Sequence, residues 1–98
     1  MQIHELRIDT SAKTVSVNDK PVDLTKKEYD LLLYLISNKN KVISKNAIAE
    51  HLTLYEADVF DNFDFIYAHI KNLKKKLTQA GCTDYIRSVY GMGYKFDV

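Results

Sequence analysis

Apolar and polar residues alternate along Gln2 to Asp9 and again along Lys13 to Val22, with Ile3, Leu6 and Ile8, then Val15, Val17 and Val22, as the apolar sets. A period of two marks strand, and Asp9-Thr10-Ser11-Ala12 and Asn18-Asp19-Lys20-Pro21 supply turn chemistry between the runs. The pattern predicts an antiparallel N-terminal sheet of three or four short strands. At Thr25 the period changes. Thr25-Lys26-Lys27-Glu28 is a capping box, in which hydroxyl and carboxylate satisfy each other's orphan backbone donors. Tyr29, Leu32, Leu33 and Ile36 then form one helical face, which Leu31 and Leu35 widen toward burial on more than one side. Asn38-Lys39-Asn40-Lys41 ends that helix. Ser44 is placed to cap a second, short helix running to about Leu52, with Ala47, Ile48 and Leu52 inward.

A third helix is predicted over about residues 62–79, capped by Asp61 or Asn62. Phe63, Ile66, Ile70, Leu73 and Leu77 fall in a stripe roughly 80° wide at 100° per residue. The opposite side carries Asp64, Ala68, Lys71, Asn72, Lys75 and Gln79, with Tyr67 and Lys74 on one flank and His69 and Lys76 on the other. Gly81 is a natural left-handed stop. Beyond it, strand residues around Gly91 and Gly93 predict a hairpin over about residues 85–97. The order is sheet, three helices, hairpin, an α+β arrangement in one domain spanning 1–98.

Composition changes this picture little. Apolar residues are 46% and charged residues 28% of the 98, as in an ordinary globular protein. The longest apolar run, Leu31 to Ile36, is too short to span a bilayer, so no membrane partner is expected. The single cysteine, Cys82, forms no internal disulfide, and three scattered histidines lack metal-ligand spacing. These features predict no metal, no cofactor and a reducing, cytoplasmic setting.

Charge adds more. Net charge is only +1, but its distribution is polarised. Leu54 to Asp64 holds Glu56, Asp58, Asp61 and Asp64 with no base, whereas Phe65 to Thr83 holds four lysines and no acid. Such segregation makes a local field that bulk charge hides. A cationic helix face followed by a short β-ribbon suits the major groove of B-DNA, which admits a helix flanked by phosphate-binding cations. A solvated lysine face is the plainer account of the lysines alone.

Within the groove reading, Ala68, Lys71, Asn72 and Lys75 sit mid-face and are the base-edge candidates. Lysine donates to guanine, asparagine pairs with adenine, and alanine meets a thymine methyl. Gly91 and Gly93 permit the wing's tight turn and close backbone approach. Ser88, Tyr90 and Tyr94 would then bring hydroxyls or ring edges to the minor groove and its phosphates, and Arg87 is the wing's charge if it points outward. Packing is a strong alternative for Tyr94, as aromatic residues in a terminal hairpin often simply pack. Lys76 lies toward the core flank and is expected to snorkel.

Leu24-Thr25-x-x-Glu28, Ser44-Lys45-x-x-Ile48, His69-Ile70-x-x-Leu73-Lys74-x-Lys76-Leu77 and Val89-x-Gly91-x-Gly93-Tyr94-x-Phe96 occur in this order. Together they resemble the OmpR/PhoB-type winged-helix DNA-binding domain of bacterial two-component response regulators, over about Ile3 to Phe96. The resemblance implies a winged helix-turn-helix with the third helix as reader, and a phosphorylatable receiver domain ahead of it that these 98 residues do not include. It implies double-stranded DNA bound as direct repeats by head-to-tail pairs, with the isolated domain monomeric off DNA. By the same resemblance Lys45, His69 and Lys74 are phosphate contacts, with half-buried packing the alternative for His69. Tyr55 stands where the family often has a tryptophan near the DNA backbone. The loop from about Thr53 to Asp61, with Glu56, Asp58 and Val59, is similar to the element that contacts RNA polymerase.

The chain departs from the family at Tyr67, where an acid is usual, and at Asn72 and Tyr90, where arginine is common. Asp64 occupies a place near the helix start where some members have a basic DNA contact. As a first-turn acid it also serves the helix dipole. The family's base preferences therefore do not carry over. The competing function is a winged helix that contacts polymerase or another protein with little DNA specificity. An enzyme is disfavoured, because the sequence offers no nucleophile–base set, phosphate-cradling glycine loop or carboxylate pair with reason to share a site.

Overall fold

The computed structural model describes residues 1–53 and 64–98. Four strands, β1 (Gln2–Ile3), β2 (Leu6–Asp9), β3 (Thr14–Val17) and β4 (Lys20–Val22), form an antiparallel sheet in the order β1-β2-β3-β4. In β2 and β3 the alternation resolves as predicted. Leu6, Ile8, Val15 and Val17 are buried, and Leu6 pairs with Val17 and Ile8 with Val15 across the ladder. The period of two thus places one apolar face on the helices behind it.

Helix α1 (Lys26–Ser37) begins with the predicted capping box: Thr25 Oγ1 accepts from Glu28 N–H at 3.2 Å, and Glu28 Oε1 accepts from Thr25 N–H at 2.9 Å. The helix is buried on two sides. Leu31, Leu32 and Leu35 are fully buried, whereas Leu33, expected on the inward face, is only partly so. Helix α2 (Lys45–Thr53) starts at Ser44, whose Oγ accepts from Ala47 N–H at 3.1 Å. Its far end is held by Lys27 Nζ, which donates to Leu52 O at 3.1 Å.

Helix α3 (Asp64–Gln79) buries Ile66, Ile70, Leu73 and Leu77 of the stripe read from the sequence, while Phe63 and the cap candidates Asp61 and Asn62 lie outside the described residues. It closes as predicted at Gly81, where φ is +100°. Cys82 N–H donates to Leu77 O and Gly81 N–H to Thr78 O, both at 3.0 Å, the paired bonds of a Schellman motif. Burial, foremost, together with the carboxylates of Glu5 and Asp84, pushes the Cys82 thiol up to about 11, so it stays neutral.

The C-terminal hairpin is β6 (Ile86–Val89) and β7 (Gly93–Phe96). One further strand has no signal in the sequence pattern: β5 (Val42–Ile43), between α1 and α2, pairs antiparallel with β7. The second sheet therefore runs β5-β7-β6, and β7 is its middle strand. This is the winged helix-turn-helix arrangement, an N-terminal antiparallel sheet, three helices and a C-terminal hairpin wing. Among the described residues no helix is long and apolar enough to cross a membrane.

Candidate nucleic-acid interface

The inward stripe of α3 fixes what the helix presents outward. With Ile66, Ile70, Leu73 and Leu77 buried, Ala68, Lys71, Asn72 and Lys75 are all exposed on one face, so the four base-edge candidates are brought together. Lys71 and Lys75 make no ion pair among the described residues. The exposed end of this face also carries Tyr67, 64% exposed.

The candidates for backbone contact divide. Lys45 is the exposed first residue of α2, beside the Ser44 cap, and Ser88 is exposed on β6. Tyr90 stands at the hairpin turn, wholly exposed. Lys74 Nζ instead lies 3.4 Å from Asp84 Oδ2, and Arg87 Nε lies 3.4 Å from Asp97 Oδ2, although the Arg87 side chain still faces water. His69 is half-buried, with its ring edge-on to Phe65 at a centroid distance of 6.4 Å. Tyr94 is only 6% exposed: its ring belongs to the core, the packing alternative. Burial pushes the Tyr94 phenol up in pKa, and the neighbouring Tyr67 phenol adds to this. Tyr55, Glu56, Asp58 and Val59 lie outside the described residues.

Two glycines hold this frame. In the turn Val89-Tyr90-Gly91-Met92, Met92 N–H donates to Val89 O at 3.0 Å, and Gly91 at φ +71° takes the position that requires a left-handed residue. Gly93 has a different task. A Cβ there would lie 2.0 Å from Ile43 O and 2.9 Å from Ser44 Cα. Its missing side chain lets β7 press against the chain entering α2. Wing and helix start are thereby one rigid piece, the property a binding constellation needs.

Sequence reasoning missed several contacts that orient these elements. Lys76, expected to snorkel, forms an ion pair with buried Glu28 at 2.6 Å, tying α3 to α1. Glu5 accepts hydrogen bonds from Thr83 N–H, at 2.7 Å, and from the Tyr85 hydroxyl, tying the N-terminal sheet to the segment entering β6. Tyr34 and His51 stack with centroids 4.1 Å apart, joining α1 to α2. No spacing rule links residues so far apart in sequence. Among the described residues no cluster of His, Cys, Asp or Glu could hold a metal ion.

Residues 19–96 match the family described as transcriptional regulatory protein, C terminal. The chain is 36% identical over 94 residues to the response regulator ArlR of Staphylococcus haemolyticus, covering 96% of this chain and 42% of ArlR. It therefore spans less than half the length of that relative. Among solved structures, it is similar to the response regulator DrrB of Thermotoga maritima, an OmpR/PhoB homolog. There the TM-score is 0.84 and identity 29%, covering 100% of this chain and 44% of DrrB. It also shares the fold of the AdeR DNA-binding domain, solved in complex with an intercistronic region. That match has TM-score 0.86 and 24% identity, covering 99% of this chain and 98% of AdeR's.

Proposed function

Because the chain belongs to the family of C-terminal domains of transcriptional regulatory proteins, we propose that it is the DNA-binding effector of a response regulator and reads duplex DNA with α3 and its wing. The observation that carries this is the solvent-facing set Ala68, Lys71, Asn72 and Lys75 on a helix whose other side is locked into the core. In the major groove Lys71 and Lys75 donate to guanine, Asn72 pairs with adenine, and Ala68 leaves room for a thymine methyl. Lys45 meets a phosphate, and the wing, with Arg87, Ser88 and Tyr90, runs along the backbone at the minor groove. Lys74 and His69 flank the helix at the backbone, with Lys74 drawn from Asp84 to phosphate when DNA arrives.

The same reading extends to the longer protein. A receiver domain ahead of the chain would set its activity by phosphorylation, as output half of a two-component system. Pairs bind direct repeats head to tail, and the acidic segment with Glu56, Asp58 and Val59 contacts RNA polymerase. The whole acts in the cytoplasm, without cofactor and without catalysis of its own.

Titration of the isotope-labelled chain with pooled promoter duplexes at two salt concentrations tests the DNA reading. Salt-sensitive shifts at Ala68 to Lys75 and Ser88 to Tyr90 are expected, because phosphate contact releases counterions. An unperturbed α3 at low salt would refute it in favour of a protein-binding winged helix.

A further inference from the structure

The tip of the wing carries two large side chains with little to pack against. Tyr90 is 100% exposed and Met92 63% exposed, on either side of Gly91. The turn between them is closed by the Met92 N–H to Val89 O hydrogen bond and set by the positive φ of Gly91. It springs from β7, the middle strand of its sheet, whose Gly93 is wedged against Ile43 and Ser44. The tip is thus a stiff projection rather than a loose loop.

In the free structure the wing's cations turn away from its tip. Arg87 and Lys95 face each other across the ladder, an unfavourable pairing of like charges. Both turn to the carboxylate of Asp97, Arg87 Nε at 3.4 Å and Lys95 Nζ at 4.0 Å. At the tip there remain a phenol ring and a thioether. The phenol hydroxyl can donate to a phosphate oxygen, but the ring and the thioether offer a phosphate nothing. Both suit a narrow groove with apolar sugar walls, about 6 Å wide, and a base step that can open.

We infer that Tyr90 and Met92 form an apolar wedge that enters the minor groove of duplex DNA and partly unstacks a base step, with the ring rather than the hydroxyl of Tyr90 as the working part. The inference rests on the DNA reading and deepens it. Apolar side chains inserted between base steps kink a duplex, and the cost is least at pyrimidine–purine steps such as TA. The wedge therefore contributes indirect readout: a preference for a flexible step under the wing, at a position that no hydrogen bond specifies. Continuity with α3, the proposed reading helix, favours DNA over a second protein copy as occupant, because Lys74 of α3 pairs with Asp84 in the segment that enters the wing, at 3.4 Å.

The chain has no tryptophan, so Tyr90→Trp installs a single indole fluorophore at the tip. The probe is a pool of random-sequence duplexes, alongside a TA-step-rich pool and a G·C-rich pool. On binding, the indole emission of this variant is expected to be quenched by stacking and shielded from iodide, most strongly with the TA-rich pool. Tyr90→Ala should weaken binding about tenfold, the effect of losing one stacked base, with the salt slope unchanged. Tyr90→Arg should steepen that slope by about 1. Full exposure of Tyr90 means that these variants fold, which circular dichroism checks. If the wild-type chain binds the pools but the indole stays open to iodide, or Tyr90→Ala binds as wild type, the wedge is refuted while the DNA reading stands. If the wild-type chain binds none of the pools at low salt, both fall.

Discussion

Lys76 Nζ of α3 lies 2.6 Å from Glu28 Oε1 of α1, and Glu28, 3% exposed, is the buried charged side chain of the described core. One carboxylate thus serves two elements, closing the capping box at Thr25 and anchoring α3. Burial by itself would raise the Glu28 pKa, but the hydrogen bond from Lys76 and that from Thr25 N–H outweigh it and hold the carboxyl below its usual range. This pair joins α3 to α1 beside the contacts of its apolar stripe.

Removing one partner should therefore cost more than removing both charges. Lys76→Met leaves a buried, unpaired carboxylate and is expected to cost about 3 kcal/mol. Glu28→Gln keeps the capping box, because glutamine serves at that position as well. The double variant Glu28→Gln/Lys76→Met should recover most of the loss. Urea denaturation of the two singles and the double decides this; additive costs would show that the pair is not coupled.

The link from Glu5 to Tyr85 and Thr83 predicts acid sensitivity. The hydrogen bond from the Tyr85 hydroxyl, followed by that from Thr83 N–H, brings the Glu5 carboxyl down from 4.5 to about 2. A carboxyl with depressed folded pKa adds stability that is whole above 4.5 and disappears as pH falls toward 2. Thermal melts from neutral pH down to about 2 should thus show a decline that Glu5→Gln flattens. At neutral pH the same change should cost about 1–2 kcal/mol. An unchanged acid limb in Glu5→Gln would count against the link.

The wing glycines should respond differently to alanine. At Gly91 nothing lies within 4 Å of an added Cβ, so only the backbone conformation resists, at a cost of about 1 kcal/mol. At Gly93 the Cβ would lie 2.0 Å from Ile43 O, and backbone must move. Gly93→Ala is expected to cost on the order of 3 kcal/mol and to disturb amide shifts at Ile43 to Lys45. Equal melting temperatures for the two variants would contradict this division.

Much of this architecture was legible because it is local. The capping box, the alternation of β2 and β3, the stripe of α3 and the Gly81 stop each lie within a few residues, where periodicity and cap chemistry apply. Strand β5 was not legible: two residues between helices show no period, and Val42–Ile43 is a strand only because β7 arrives beside it. The site divided in the same way. Which residues of α3 face outward followed from the stripe. That Lys74 and Arg87 would be engaged by Asp84 and Asp97 did not, because ion pairs between elements depend on how those elements dock.

Asp84 gives the last test, which joins the free structure to the proposed interface. Its carboxylate lies 3.4 Å from Lys74 Nζ, and both side chains are partly exposed, so the pair itself adds little stability. Its consequence is electrostatic. A carboxylate beside α3 repels phosphate and competes for the lysine proposed to contact the DNA backbone. Asp84→Asn should leave the melting temperature nearly unchanged, within about 0.5 kcal/mol. It should tighten binding to pooled duplexes at low salt by about threefold or more, the effect of freeing one phosphate-directed cation. Lys74→Ala should weaken binding and reduce the salt slope by about 1, and Asp84→Asn should gain nothing in that background. Fluorescence anisotropy over a salt series separates the cases. If Asp84→Asn strengthens binding equally with and without Lys74, the carboxylate acts only as a distant charge, and Lys74 is not the contact it is proposed to be.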